Sequence, residues 1–249
     1  MGMAFDGVGL VMFGGTVGQN VTVLADTWRW DGTTWSTLTP PQTPRPRYGH
    51  TIVERSSNGV WMLSGRHNDS SNFAWDGTTW SALPGGIPID PTTQVAFDSD
   101  RKVAVVLDVD GAAKTLRHWE YDGGGWRQLP GAVPSFRRGG RMVYDSARKR
   151  VVLFGGRGNP EPLADTWEFD GATWTARTTP TSPPGRQGFC MTFDPSRGVT
   201  VAFGGAGGTG VGLLGDTWEW DGTTWTEGPP GPPKRRSCAI GYDPVRRRV

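Results

Sequence analysis

The amino-acid sequence predicts an all-β fold built from one four-stranded unit used five times. Three observations carry that reading: a hexad that recurs five times, aromatic rings spaced two residues apart ahead of each copy, and a composition unsuited to helices. Hydrophobic residues make up only 35% of the 249, against 38 glycines, 20 prolines and 13 tryptophans. A chain so short of aliphatic side chains must build its core from short strands, frequent turns and large rings.

The hexad reads WDGTTW at 30–35, 75–80 and 220–225, YDGGGW at 121–126 and FDGATW at 169–174. Its aspartates, Asp31, Asp76, Asp122, Asp170 and Asp221, lie 45, 46, 48 and 51 residues apart, a period with room for four strands. The Asp-Gly step supplies the left-handed conformations of a tight hairpin, so the third and fourth strands of each unit meet there. A further ring lies two residues before the hexad's first, at Trp28, Phe73, Trp119, Trp167 and Trp218. That period of two puts both rings on one face of the third strand.

The first and second strands are clearest at 140–156, GRMVYDSARKRVVLFGG, where two apolar runs flank a polar turn. The second run ends in Gly-Gly at 14–15, 155–156 and 204–205, which becomes Ser64-Gly65 in the second unit and Asp108-Val109 in the third. Glycine there lets the backbone leave the strand and lets a neighbour approach closely. Segments such as TPPQTPRPR and TPTSPPGR then separate the units, because proline cannot continue a ladder. Twelve of the 13 tryptophans fall inside the repeated motif, which assigns them to packing between units.

Gly-Gly after an apolar strand, then an aromatic, then a tryptophan, recurring at this period, resembles the kelch repeat. The resemblance implies a β-propeller in a single domain, 1–249, with four-stranded blades at about 3–39, 47–84, 91–130, 137–178 and 186–228, first strands innermost. Residues 235–243, RRSCAIGYD, repeat an innermost strand with no blade after it. The expectation is a ring closed by this C-terminal strand entering the first blade. A closed ring would be a monomer, and an open slice would self-associate through its strand edges.

In an antiparallel blade the segment before the first strand and the loop after the second emerge on one face, so the candidate site is the mouth they surround. Eight residues before the inner-strand aspartates Asp145, Asp194 and Asp243 stand Arg137, Arg186 and Arg235. Arg47 takes the matching place in the second unit and Asp90 in the third, while Arg66 and Arg157 follow second strands. Guanidinium groups around one opening suit an acidic peptide or a small anion. The competing reading is that each arginine anchors its own loop. His50, His67 and Asp69 form a second constellation able to hold a divalent transition metal or move a proton. They would support a metal-assisted hydrolase or a sugar-acid isomerase or mutarotase, against the plainer reading of a solvated loop and a backbone-bonded histidine. His118, in a third strand, reads as structural. A third possibility is a propeller with no ligand at all.

Catalytic signatures are incomplete. Nitrile-specifier proteins, similar in fold, carry Glu-x3-Asp-x3-His for iron; Glu161 and Asp165 match the first two places, but Phe169 holds the third. No Gly-x-Ser-x-Gly, His-Glu-x2-His or phosphate loop is present. A ligand-binding module without a cofactor is therefore the leading expectation. The formal net charge of +2 implies neither nucleic acid nor membrane as partner, and the basic runs at 234–236 and 246–249 read as solvated ends. There is no apolar run of the roughly 18 residues that span a membrane, and the first residues do not read as an export signal. Cys190 and Cys238 lack paired metal-ligand spacing and read as packed thiols, with a bridge as the alternative.

Overall fold

A computed structural model describes residues 2–17, 22–55, 59–63, 71–86, 93–243 and 246–249. Twenty strands form five four-stranded antiparallel sheets, with no helix among the described residues; the fold is a five-bladed β-propeller. The first blade holds β1 (Gly2–Phe5), β2 (Leu10–Val17), β3 (Thr22–Trp30) and β4 (Trp35–Leu38), and the second holds β5 (Thr51–Glu54), β6 (Val60–Leu63), β7 (Asn72–Trp75) and β8 (Trp80–Leu83). The third is β9 (Gln94–Asp98), β10 (Val103–Asp110), β11 (Thr115–Tyr121) and β12 (Trp126–Leu129). The fourth is β13 (Arg141–Asp145), β14 (Arg150–Phe154), β15 (Thr166–Phe169) and β16 (Trp174–Arg177). The fifth is β17 (Cys190–Asp194), β18 (Val199–Ala206), β19 (Leu213–Trp220) and β20 (Trp225–Glu227). Strands neighbour one another in chain order within every blade.

The chain falls into two compact units. One comprises Met1–Thr93, Arg101–Ala104 and Trp119–Gln128; the other comprises Gln94–Asp100, Val105–His118 and Leu129–Val249, so the third blade contributes to both.

Each hexad turns a third strand into a fourth. Its two rings oppose each other across the ladder, as in the pairs Trp30–Trp35, Trp75–Trp80, Phe169–Trp174 and Trp220–Trp225. The turn between them has four residues, and only its glycine is left-handed, with φ 104° at Gly32. The aspartate carboxylate closes it. One Asp31 oxygen accepts the N–H groups of Thr33 and Thr34, both at 2.8 Å, and Asp76, Asp122, Asp170 and Asp221 repeat the arrangement. This is an Asx turn, a solution different from the two-residue hairpin that the Asp-Gly step suggests. Its amide donors hold the carboxyls of Asp31, Asp76, Asp122 and Asp170 below the ordinary range.

Within each unit, the second strand of one blade is covered by the hexad rings of the next. Val11 and Phe13 pack with Ile52, Val60, Met62, Trp75 and Trp80. Val152 and Phe154 pack likewise with Phe189, Met191, Ala202, Trp220 and Trp225. Each buried ring removes roughly 200 Å² from water, on the order of 5 kcal/mol gross as an upper bound. The indole N–H groups are satisfied across the same junctions. Trp80 donates to the Thr27 hydroxyl at 3.0 Å and Trp225 to the Thr166 hydroxyl at 2.8 Å. His118 fills the same acceptor role, its Nδ1 taking the Trp174 N–H at 3.2 Å.

The C-terminal segment differs from expectation. Residues 235–243 form no strand, and the inner position of the first blade is filled by β1. The segment is instead tied to the fifth blade: Arg235 donates its N–H to the Leu214 carbonyl at 3.0 Å, and Ser237 to that of Gly188 at 2.7 Å. Cys238 is disulfide-bonded to Cys190 in β17, so the two cysteines are not the free thiols anticipated. Without a second strand beside it, this stretch has no ladder to join.

Candidate functional site

The recurring arginines share one local design. The chain before each inner strand passes close to the Gly-Gly of the preceding blade, and the two backbones bond. Gly15 donates to the Arg47 carbonyl at 2.9 Å, and Gly156 and Gly205 donate to those of Arg186 and Arg235 at 2.8 Å. This approach explains the glycines. Gly155 has φ 59°, and a Cβ there would lie 2.9 Å from the Arg186 carbonyl oxygen.

Each arginine side chain then turns forward into its own blade. The Nε atoms of Arg47, Arg137, Arg186 and Arg235 all donate to the carbonyl two residues earlier. Arg137 grips Asp165 through both terminal nitrogens at 2.7 Å and also donates to the Gly155 carbonyl. Arg186 repeats this with Asp216, at 2.9 and 2.7 Å, and with the Gly204 carbonyl. Burial alone would raise the carboxyls of Asp165 and Asp216, but the guanidinium partners override it and hold both below the usual range. Arg47 meets Ser71 in place of an aspartate and lies over the Phe73 ring, 4.8 Å from its centroid.

Arg47, Arg137 and Arg186 are at most 1% exposed. Their charges are turned into the blades, an arrangement that fastens loops. Arg157 and Arg235 differ: both are exposed. Arg157 stands directly opposite Arg138, each donating its N–H to the other's carbonyl, at 2.7 and 3.0 Å. A bonded antiparallel pair directs its side chains to the same side, so two cations rise together at one end of the fourth blade. Arg66, His67 and Asp69 lie outside the described residues.

His50 is buried, and its Nε2 accepts the Gly2 N–H at 3.1 Å. It packs edge-on against Phe13 with centroids 5.8 Å apart, as Phe189 packs against Phe154 at 5.7 Å. Burial, with the Arg47 charge nearby, pushes the imidazole down to about 3, so the ring is neutral near pH 7. Among the described residues, no group of three His, Cys, Asp or Glu side chains could hold a metal ion. Asp165 serves Arg137 and the Trp167 indole, while Glu161 accepts from Thr209.

Sequence reasoning missed the aspartates. Asp-Thr-Trp recurs at 26–28, 165–167 and 216–218, with an arginine 28 or 30 residues before the last two, a spacing that points to a pair. No family model matches this chain, and no curated protein matches it.

Proposed function

We propose that the chain is a kelch-like propeller acting as a non-catalytic binding module for an acidic peptide or small anion, held at the loop end of the fourth blade. A propeller fold is consistent with a binding module, since loops on a rigid sheet scaffold offer a ligand fixed contacts. One observation carries the choice of place and charge: Arg138 and Arg157 are backbone-paired directly opposite each other, with the Arg157 side chain exposed. Like charges so placed repel, and an anion between them relieves that repulsion while accepting from both forks. In this reading the buried arginines Arg47, Arg137 and Arg186 position the loops.

The test is fluorescence anisotropy of a labelled oligoglutamate peptide, with inorganic phosphate and citrate as competitors. Binding that weakens at least tenfold in Arg138→Ala/Arg157→Ala, and that falls with added salt, is expected. Unchanged binding in that variant, or none of any anion to the native chain, refutes the proposal.

A further inference from the structure

The fifth blade ends in a face made for a further blade. In the fourth blade, Val152 and Phe154 lie under Trp220 and Trp225, whose N–H groups bond Glu168 at 3.1 Å and Thr166 at 2.8 Å. The matching residues of the fifth blade, Val201, Phe203, Thr217 and Glu219, line a groove of about 580 Å³ together with Arg235 and Ile240. No hexad fills it. Arg235 has its backbone fastened to the fifth blade as Arg186 has to the fourth, but its exposed side chain bonds only the Pro233 carbonyl, at 2.9 Å.

The first blade carries the missing counterparts. Trp35 is 43% exposed, whereas Trp80 and Trp225 are 1% exposed. Asp26 occupies the place of Asp165 and Asp216; one of its oxygens takes the Trp28 N–H, and the other is buried with no hydrogen-bond partner. A buried, unpaired carboxylate oxygen is costly, and in the fourth and fifth blades the same position is paid for by an arginine fork.

We infer that a second copy of this chain docks its first blade into the fifth-blade groove, pairing its Asp26 with Arg235 and seating its Trp30 and Trp35 on Val201 and Phe203. The C-terminal segment shapes the fit. Counted back from Asp243, Ile240 and Tyr242 stand where Met3 and Phe5 stand before Asp6. Met3 and Phe5 are 41% and 39% exposed in the four-residue β1, so the incoming blade exchanges β1 for residues 239–242 of its partner. The contact joins unlike surfaces, so it propagates head to tail.

Sedimentation velocity on the full chain over roughly 1–100 μM tests this, a range in which contacts of ordinary strength are visible. Concentration-dependent oligomers are expected. Arg235→Asp and Asp26→Arg should each weaken association at least tenfold, and the double variant should restore it. Trp35→Ala should weaken it while leaving the fold intact by circular dichroism, and removing residues 1–5 should strengthen it. A monomer at every concentration, association indifferent to all these changes, or a double variant as weak as the singles overturns the inference. None of these variants alters Arg138 or Arg157, so a failure here leaves the anion reading standing.

Discussion

The junction between the fourth and fifth blades and the far side of the fifth blade are built from the same residues and end differently. At the junction, Arg186 grips Asp216, and Trp220 and Trp225 are buried to 1% or less. On the far side Arg235 begins the same motif, its backbone bonded to Leu214 and Gly205, and its exposed side chain has no carboxylate partner among the described residues. In the first blade, Trp35 completes the same hexad as Trp225 and is exposed. The hexad thus makes a hairpin on its own, whereas burial and ion pairing are supplied by the neighbouring blade. Stability in this chain resides at junctions more than within blades.

The largest expected effect sets buried against exposed tryptophan. Trp225→Ala removes a ring packed on Phe154, centroids 4.9 Å apart, and strands the Thr166 hydroxyl; it should cost about 4 kcal/mol. Trp35→Ala, in dilute protein, should cost less than about 1 kcal/mol. Urea unfolding of both measures the contrast, and equal losses would break it. Next in size, Arg186→Ala leaves Asp216 in a site shaped for a guanidinium and should cost about 3 kcal/mol. Arg235→Ala should stay within about 0.5 kcal/mol, because its side chain is solvated. A large loss at Arg235 in dilute protein would show that the end is already occupied.

Much of this was legible in the residues. The hexad aspartates and rings placed every hairpin, because period-two alternation and Asp-Gly are local signals. Gly-Gly foretold close approach, and the structure identifies what approaches, the carbonyls of Arg47, Arg186 and Arg235. The arginine series was visible too, but not its direction. A guanidinium at residue 137 can face solvent or reach Asp165 at almost equal sequence cost, and only the fold decides. Nor could β1 be distinguished from residues 235–243 as the inner strand of the first blade, since both carry the same pattern before an aspartate. His50 was readable in principle. Aligned on Arg-x-Gly, the tripeptides at 47–49 and 186–188 set His50 opposite Phe189, a packing position.

That alignment yields the smallest and sharpest comparison, between two finished junctions. Phe189 cannot titrate; His50 can, and burial holds it at about 3 from an ordinary 6.5. Above pH 6.5 the ring is neutral in both folded and unfolded chains, and its contribution is fully present. As pH falls below 6.5 the unfolded chain takes up a proton that the folded one refuses. Stability should therefore drop by about 1.4 kcal/mol per pH unit, until the folded ring also protonates near 3. Urea unfolding between pH 6.5 and 4.5 isolates this slope from the carboxylates, whose depressed values release their contribution only below about 4. His50→Phe, copying the other junction, should abolish the slope while losing the acceptor for the Gly2 N–H, a cost of about 1 kcal/mol. A slope that survives the substitution would assign the acid sensitivity elsewhere and remove the parallel between His50 and Phe189.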